Sequence, residues 1–91
     1  MTGAEIYKPN QNVVVTELDD DESVLLDLNT RRYYTVNETG VLIWAQLKEG
    51  KGILEICNVV AGEFEISADD ASTFVEVFIS SLEKEGLVTK E

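Results

Sequence analysis

Ninety-one residues allow one compact domain and leave no room for a second core. A hydrophobic share of 44% excludes an intrinsically disordered chain, so secondary structure is expected along most of the length. Eighteen Asp and Glu against seven Lys and Arg give a formal net charge of −11, which repels nucleic acid and anionic membrane surfaces at long range. Such a charge serves solubility, or else steers a basic partner.

Met1 to Asn12 lacks an apolar core of the kind a signal peptide needs. No apolar run approaches the roughly 20 residues that span a bilayer. Cys57 is the only cysteine, so no intramolecular disulfide can form, which suits a reducing cytoplasm. A soluble, cytoplasmic chain with no membrane partner is the expectation.

In chain order, residues 1–11 read as a flexible N-terminal segment and 12–91 as the domain. Val13-Val14-Val15-Thr16-Glu17-Leu18 is rich in β-branched residues and predicts a strand. The acidic run Asp19-Asp20-Asp21-Glu22 repels itself and predicts an exposed turn. Ser23-Val24-Leu25-Leu26-Asp27-Leu28 follows as a second strand, completing a hairpin. After a turn at Asn29-Thr30-Arg31, Arg32-Tyr33-Tyr34-Thr35-Val36 reads as a third strand. Alternation sets Tyr34 and Val36 on one face, Tyr33 and Thr35 on the other.

At Asn37 the period changes. Asn37 is a good N-cap, and Glu38 suits the positive end of the helix dipole. Val41, Trp44, Ala45 and Leu47 share a broad apolar helix face with Ile43 at its margin. Gly40 costs helix stability, which points to a close packing approach. A second helix over about 53–63 carries Ile53, Ile56, Cys57 and Val60 at helical spacing. Ser67 and Asp70 form a variant capping box for a third helix that runs to about Glu85. Its apolar residues are Ala71, Phe74, Val75, Phe78, Ile79 and Leu82, with Gly86 and Leu87 placed to end it in a Schellman motif. The order βββααα is α+β, a three-stranded antiparallel sheet followed by three helices.

Catalytic chemistry is poorly supplied. The chain has no histidine, paired cysteine ligands, glycine-rich phosphate loop or Gly-x-Ser-x-Gly elbow. Cys57, between Ile56 and Asn58, reads as a small core filler. The acidic run at 19–22 lacks the ligand spacing and mid-loop glycine of a calcium loop, so a solvated turn is favoured over a metal site. No catalytic residue, metal or cofactor is expected. The second and third helices beside a hairpin suggest a winged helix-turn-helix. A DNA-binding regulator is disfavoured, because the would-be recognition helix carries Asp69, Asp70, Glu76, Glu83 and Glu85 against Lys84. Peptide capture by an open strand edge is the better use of such an architecture. A purely structural subunit of an enzyme complex is the remaining alternative.

The stretch from Val24 to Gly40, with Asn29-Thr30-Arg31-Arg32-Tyr33-Tyr34-Thr35-Val36-Asn37-Glu38-Thr39-Gly40 at its heart, resembles the PqqD-like family. So do Ile43-Trp44, Leu47, Glu55-Ile56 and the ending Leu82…Gly86-Leu87-Val88. The resemblance covers about residues 12–89. It implies a recognition element for ribosomally made, post-translationally modified peptides, winged-helix-like and non-catalytic. Such an element binds the leader region of a precursor peptide and presents it to a modifying enzyme of radical-SAM, cyclase or leader-peptidase type. The resemblance also implies that the leader adds as a strand to the third strand and lies against the third helix. Carried over by position, the groove comprises Arg32, Tyr33, Tyr34, Thr35 and Val36 on the strand and Ala71, Val75 and Phe78 on the helix. Asn37 and Gly40 are assigned to the strand-to-helix corner. An open edge can also pair with its own copy, so a strand-mediated homodimer is a competing arrangement.

Overall fold

The computed structural model describes residues 5–19 and 22–91. Along the chain come β1 (Tyr7–Pro9), β2 (Val13–Glu17), β3 (Glu22–Asp27), β4 (Arg32–Asn37), α1 (Glu38–Lys48), α2 (Ile53–Phe64), α3 (Ala68–Lys84) and β5 (Val88–Lys90). The three strands expected from sequence are β2, β3 and β4, an antiparallel meander in that spatial order. Three helices follow, as expected for the α+β class. The expected acidic turn falls partly on Asp20 and Asp21, outside the described residues. At its margins the Leu18 and Asp19 N–H groups donate to the Glu22 carbonyl at 3.0 and 3.3 Å.

Period-two alternation decides which side of the meander is buried. Leu25 and Val36 lie in the core, with Val13, Val15 and Tyr34 packed against it. The same core takes in Ile43, Trp44 and Leu47 of α1, which packs on β3 and β4, with Ile56 and Val60 of α2 and Val75 and Ile79 of α3. The apolar face of α1 is rotated from the one expected. Ile43 is fully buried rather than marginal, and Ala45 is exposed. The cause is that α1 packs on both the strands and α2, so its buried arc turns toward Ile43.

The helix boundaries follow local chemistry. Asn37 Oδ1 accepts the Gly40 N–H at 3.0 Å, and Ser67 Oγ accepts the Asp70 N–H at 3.1 Å. Beyond α3 the Gly86 N–H donates to the Glu83 carbonyl at 3.1 Å and the Leu87 N–H to the Leu82 carbonyl at 2.9 Å. With Gly86 at φ 76°, this is the Schellman ending expected from sequence.

Within the segment 1–11, expected to be flexible, residues 7–9 form β1, which pairs antiparallel with β5, and residues 1–4 lie outside the described residues. Tyr7 is buried, the Glu91 N–H donates to the Ile6 carbonyl at 2.8 Å, and Lys90 meets Glu5 at 2.9 Å. Strands of three residues are too short to show a period, and Pro9 argues against a strand except at an edge.

Two predictions follow from this packing. Asn37→Ala should cost about 1 kcal/mol and lower the melting temperature by roughly 4–8 °C, read by circular dichroism. The second concerns pH. Burial raises the Cys57 thiol above its ordinary value. Burial, then Glu83 and Glu5, raise the Tyr7 phenol. Both groups hold their protons to higher pH folded than unfolded. Their contribution is complete below the ordinary thiol and phenol ranges and is lost as pH climbs through the raised folded values. Urea midpoints should therefore fall above about pH 9, and Cys57→Ala together with Tyr7→Phe should flatten that decline.

Candidate functional site

The site is built outward from the turn that launches β4. Asp27, buried at the end of β3, accepts the Asn29 N–H at 2.9 Å through Oδ1, while its carbonyl accepts the Arg31 N–H at 2.7 Å. Arg31 takes the left-handed conformation at φ 61° to close the turn. Residues 32–37 then run antiparallel to β3, with Tyr33 opposite Leu26 and Val36 opposite Ser23. On its other side β4 has no neighbouring strand among the described residues, so its outward backbone groups form a free edge.

One hydrogen bond and one shared neighbour place α3 near this strand. At one end the Tyr34 hydroxyl donates to Glu85 Oε2 at 3.1 Å. At the other, Val36 and Phe78 both border Gly40, where an added Cβ would lie 3.1 Å from Phe78 Cζ and 3.1 Å from Val36 Cβ. Gly40 is thus the close approach that its sequence position suggested. On the exposed side of α3 lies a shallow hollow of about 440 Å³ lined by Asp70, Thr73, Phe74, Val77, Phe78 and Ser81. Phe78 lines this hollow and also borders Gly40 in the first turn of α1.

The residues assigned from sequence divide accordingly. Arg32 and Thr35 are exposed, Tyr33 is 70% exposed, Tyr34 is half-buried and Val36 is in the core. On the helix, Phe78 is half-buried and reaches the hollow. Ala71 and Val75 do not, because both are completely buried. The small side chains on that stripe face the core, and the surface is left to Phe74, at 41% exposure, and Val77, at 63%. Val77 was the available signal, a lone β-branched apolar residue amid the polar positions of α3.

Other features offer less. A larger hollow of about 540 Å³ lies between β1 and the end of α1, beside Tyr7, Trp44 and Lys48. The Trp44 indole N–H there is itself buried, so it presents no donor to the hollow. Cys57 is a buried free thiol. Among the described residues no cluster of His, Cys, Asp and Glu could hold a metal, and no helix is long and apolar enough to cross a membrane.

The family model for coenzyme PQQ synthesis protein D (PqqD) matches residues 22–88. The chain belongs to the PqqD family. The match begins at β3 and so takes in β4 and all three helices, the elements that shape the edge and the hollow. No curated protein matches the chain. Among solved structures, TbiB1 in complex with the TbiA(beta) leader peptide is 31% identical, with a TM-score of 0.81 over 89% of this chain and 93% of that one. Lasso peptide synthetase B1 complexed with the leader peptide is 24% identical, with a TM-score of 0.81 over 91% of this chain and 96% of that one. The second likeness speaks to the fold.

The two faces of α3 in this PqqD-family chain should respond differently to mutation. Val77→Ser should change stability by no more than about 0.5 kcal/mol, as exposed substitutions usually do. Ala71→Leu should cost about 1–3 kcal/mol by overpacking. Denaturant titration of both variants checks the assignment.

Proposed function

We propose that this PqqD-family chain is a non-catalytic binding protein for the leader region of a ribosomally made precursor peptide. The leader adds as a strand to the free edge of β4 and rests its side chains on α3. The domain then presents the bound peptide to a modifying enzyme of radical-SAM, cyclase or leader-peptidase type, in the cytoplasm.

The observations that carry this reading are the free β4 edge and an exposed apolar hollow on α3, whose Phe78 shares Gly40 as a neighbour with Val36 of β4. An added strand would satisfy the outward N–H and C=O groups of residues 32–37, which supplies affinity with little dependence on side-chain identity. Its alternate side chains would point toward α3, where Phe74, Val77 and Phe78 offer apolar contact. That TbiB1 was solved with a leader peptide, at 31% identity across most of both chains, supports the same ligand class. Tyr33 adds rigid, amphipathic surface beside the edge. The acids on α3 oppose the DNA-binding alternative.

Isothermal titration against the leader of the precursor encoded beside the gene tests the proposal. Saturable binding is expected, and Phe74→Ser or Val77→Asp should weaken it about tenfold or more while leaving the fold intact. Hydrogen exchange should show every second β4 amide gaining protection on binding, since neighbouring residues of a strand point their N–H groups to opposite sides. No heat at high micromolar leader, or protection confined to α3, would overturn peptide capture or strand addition respectively.

A further inference from the structure

The β2-β3-β4 sheet has a second free edge among the described residues, on β2. Its ladder fixes which groups that edge offers. The Leu28 N–H donates to the Asn12 carbonyl at 2.9 Å, and the Leu18 N–H to the Glu22 carbonyl at 3.0 Å. Antiparallel bonding alternates along a strand, so Val14 and Thr16 also bond to β3, while Val13, Val15 and Glu17 turn their backbone groups outward. The Val13 N–H is taken by the Asn10 carbonyl at 3.1 Å. The outward groups left for a partner are therefore the Val13 carbonyl and both groups of Val15 and Glu17. Sheet edges are ordinarily guarded by proline, lysine or a bulge. Val13-Val14-Val15-Thr16-Glu17 contains neither proline nor lysine, and its register against β3 runs without a bulge.

Backbone pattern and charge together choose the occupant. Two copies of β2 laid antiparallel about a twofold axis pair all five residues when Val15 faces the partner's Val15. Outward groups then meet outward groups. Val15 exchanges both of its hydrogen bonds with the partner's Val15, and the Glu17 N–H donates to the partner's Val13 carbonyl in each direction. The occupied Val13 N–H is not needed. A register slid toward the hairpin tip would bring Glu17 against the partner's Glu17, which like charges oppose.

In the full register Glu17 lies opposite the partner's Val13, and residues directly opposite share a sheet face. Val13 borders the hollow of about 540 Å³ beside α1, whose lining includes Lys8 and Lys48, with Glu91 as the accompanying acid. Glu17, Lys8 and Lys48 are all exposed. Each copy thus brings a carboxylate to two ammonium groups of the other, in a chain with only seven Lys and Arg.

We propose that β2 is a self-association edge: two copies join there about a twofold axis into one six-stranded sheet, with Glu17 of each seated beside Lys8 and Lys48 of the other. The two β4 edges are the outermost strands of that sheet and stay open, so this dimer does not compete with a peptide at β4. The inference does not depend on what β4 binds. One strand edge and its flanks bury less than the roughly 800 Å² per partner of a standard interface, so the dimer is weak and concentration-dependent.

Sedimentation equilibrium of the full chain from about 10 μM to 1 mM, the range of weak contacts, should show monomer and dimer in exchange. Glu17→Lys alone sets like charges together at both contacts, and Lys8→Glu combined with Lys48→Glu does the same. Each variant, checked for folding by circular dichroism, should lose about tenfold in dimer affinity. Mixing the two variants puts opposite charges back at both contacts, and their heterodimer should recover wild-type affinity. Hydrogen exchange should show the Val15 and Glu17 amides gaining protection with concentration, while Val14 and Thr16 stay unchanged. Leader affinity should be the same in every variant.

A monomer throughout that range would overturn the proposal. A dimer indifferent to both charge variants, or one that mixing fails to rescue, would overturn this edge and register as the contact. A dimer that the leader dissolves would assign the β2 edge to the peptide instead. Failure of the leader titration in wild type would overturn the functional reading alone, and leaves the dimer to stand or fall by sedimentation.

Discussion

The arrangement of β4, α1 and α3 depends on how closely the first turn of α1 approaches its neighbours at Gly40. The strand and the helix are joined without a linker, because Asn37 ends β4 and caps α1. A helix that starts there must pass its backbone against Val36 behind it and Phe78 beside it. A side chain at position 40 would press on both at 3.1 Å, so glycine accepts the loss of helix propensity to let three elements meet. With α1 held this tightly to the end of β4, the helices cover one face of the sheet and leave the β4 edge open. The Tyr34–Glu85 contact holds the opposite end of α3 near the same strand.

The apolar arc of α3 is wider than its core contact requires. Ala71, Val75, Ile79 and Leu82 lie at i, i+4, i+8 and i+11 and are buried. Phe74 and Val77 form a neighbouring stripe that the core does not cover, with Phe78 half-buried at its margin. A helix that only supported the sheet could carry polar residues at positions 74 and 77 with little cost to stability. The exposed stripe is what distinguishes α3 from α2, where the residues at helical spacing, Ile53, Ile56, Cys57 and Val60, are all buried.

Much of this was legible in the sequence. Strand periods, the Asn37 and Ser67 caps, the close approach at Gly40 and the Gly86-Leu87 ending each rest on local chemistry that one stretch of chain contains. Two features were not legible. β1 and β5 are three residues each and owe their existence to pairing across the length of the chain, which no local pattern reports. The division of α3 into core and surface stripes was also hidden, because helical spacing alone places Phe74 and Phe78 on the same arc as Ala71 and Val75. Packing of α3 against α2 selects among them. Small side chains let the two helix axes approach, so Ala71 and Val75 take the interior and the phenylalanines move to the flank.

Size explains why an edge and a shallow hollow suit this chain better than a cleft. A domain of 91 residues has little interior left once one core is filled, so it cannot enclose a ligand. A strand edge needs no cavity, since its binding groups are backbone atoms already aligned by the sheet. In the proposed mode a docked peptide would gain main-chain hydrogen bonds from β4 and apolar contact from α3. The main-chain part would be indifferent to sequence, which would leave discrimination between peptides to the few exposed side chains of α3 and to Tyr33.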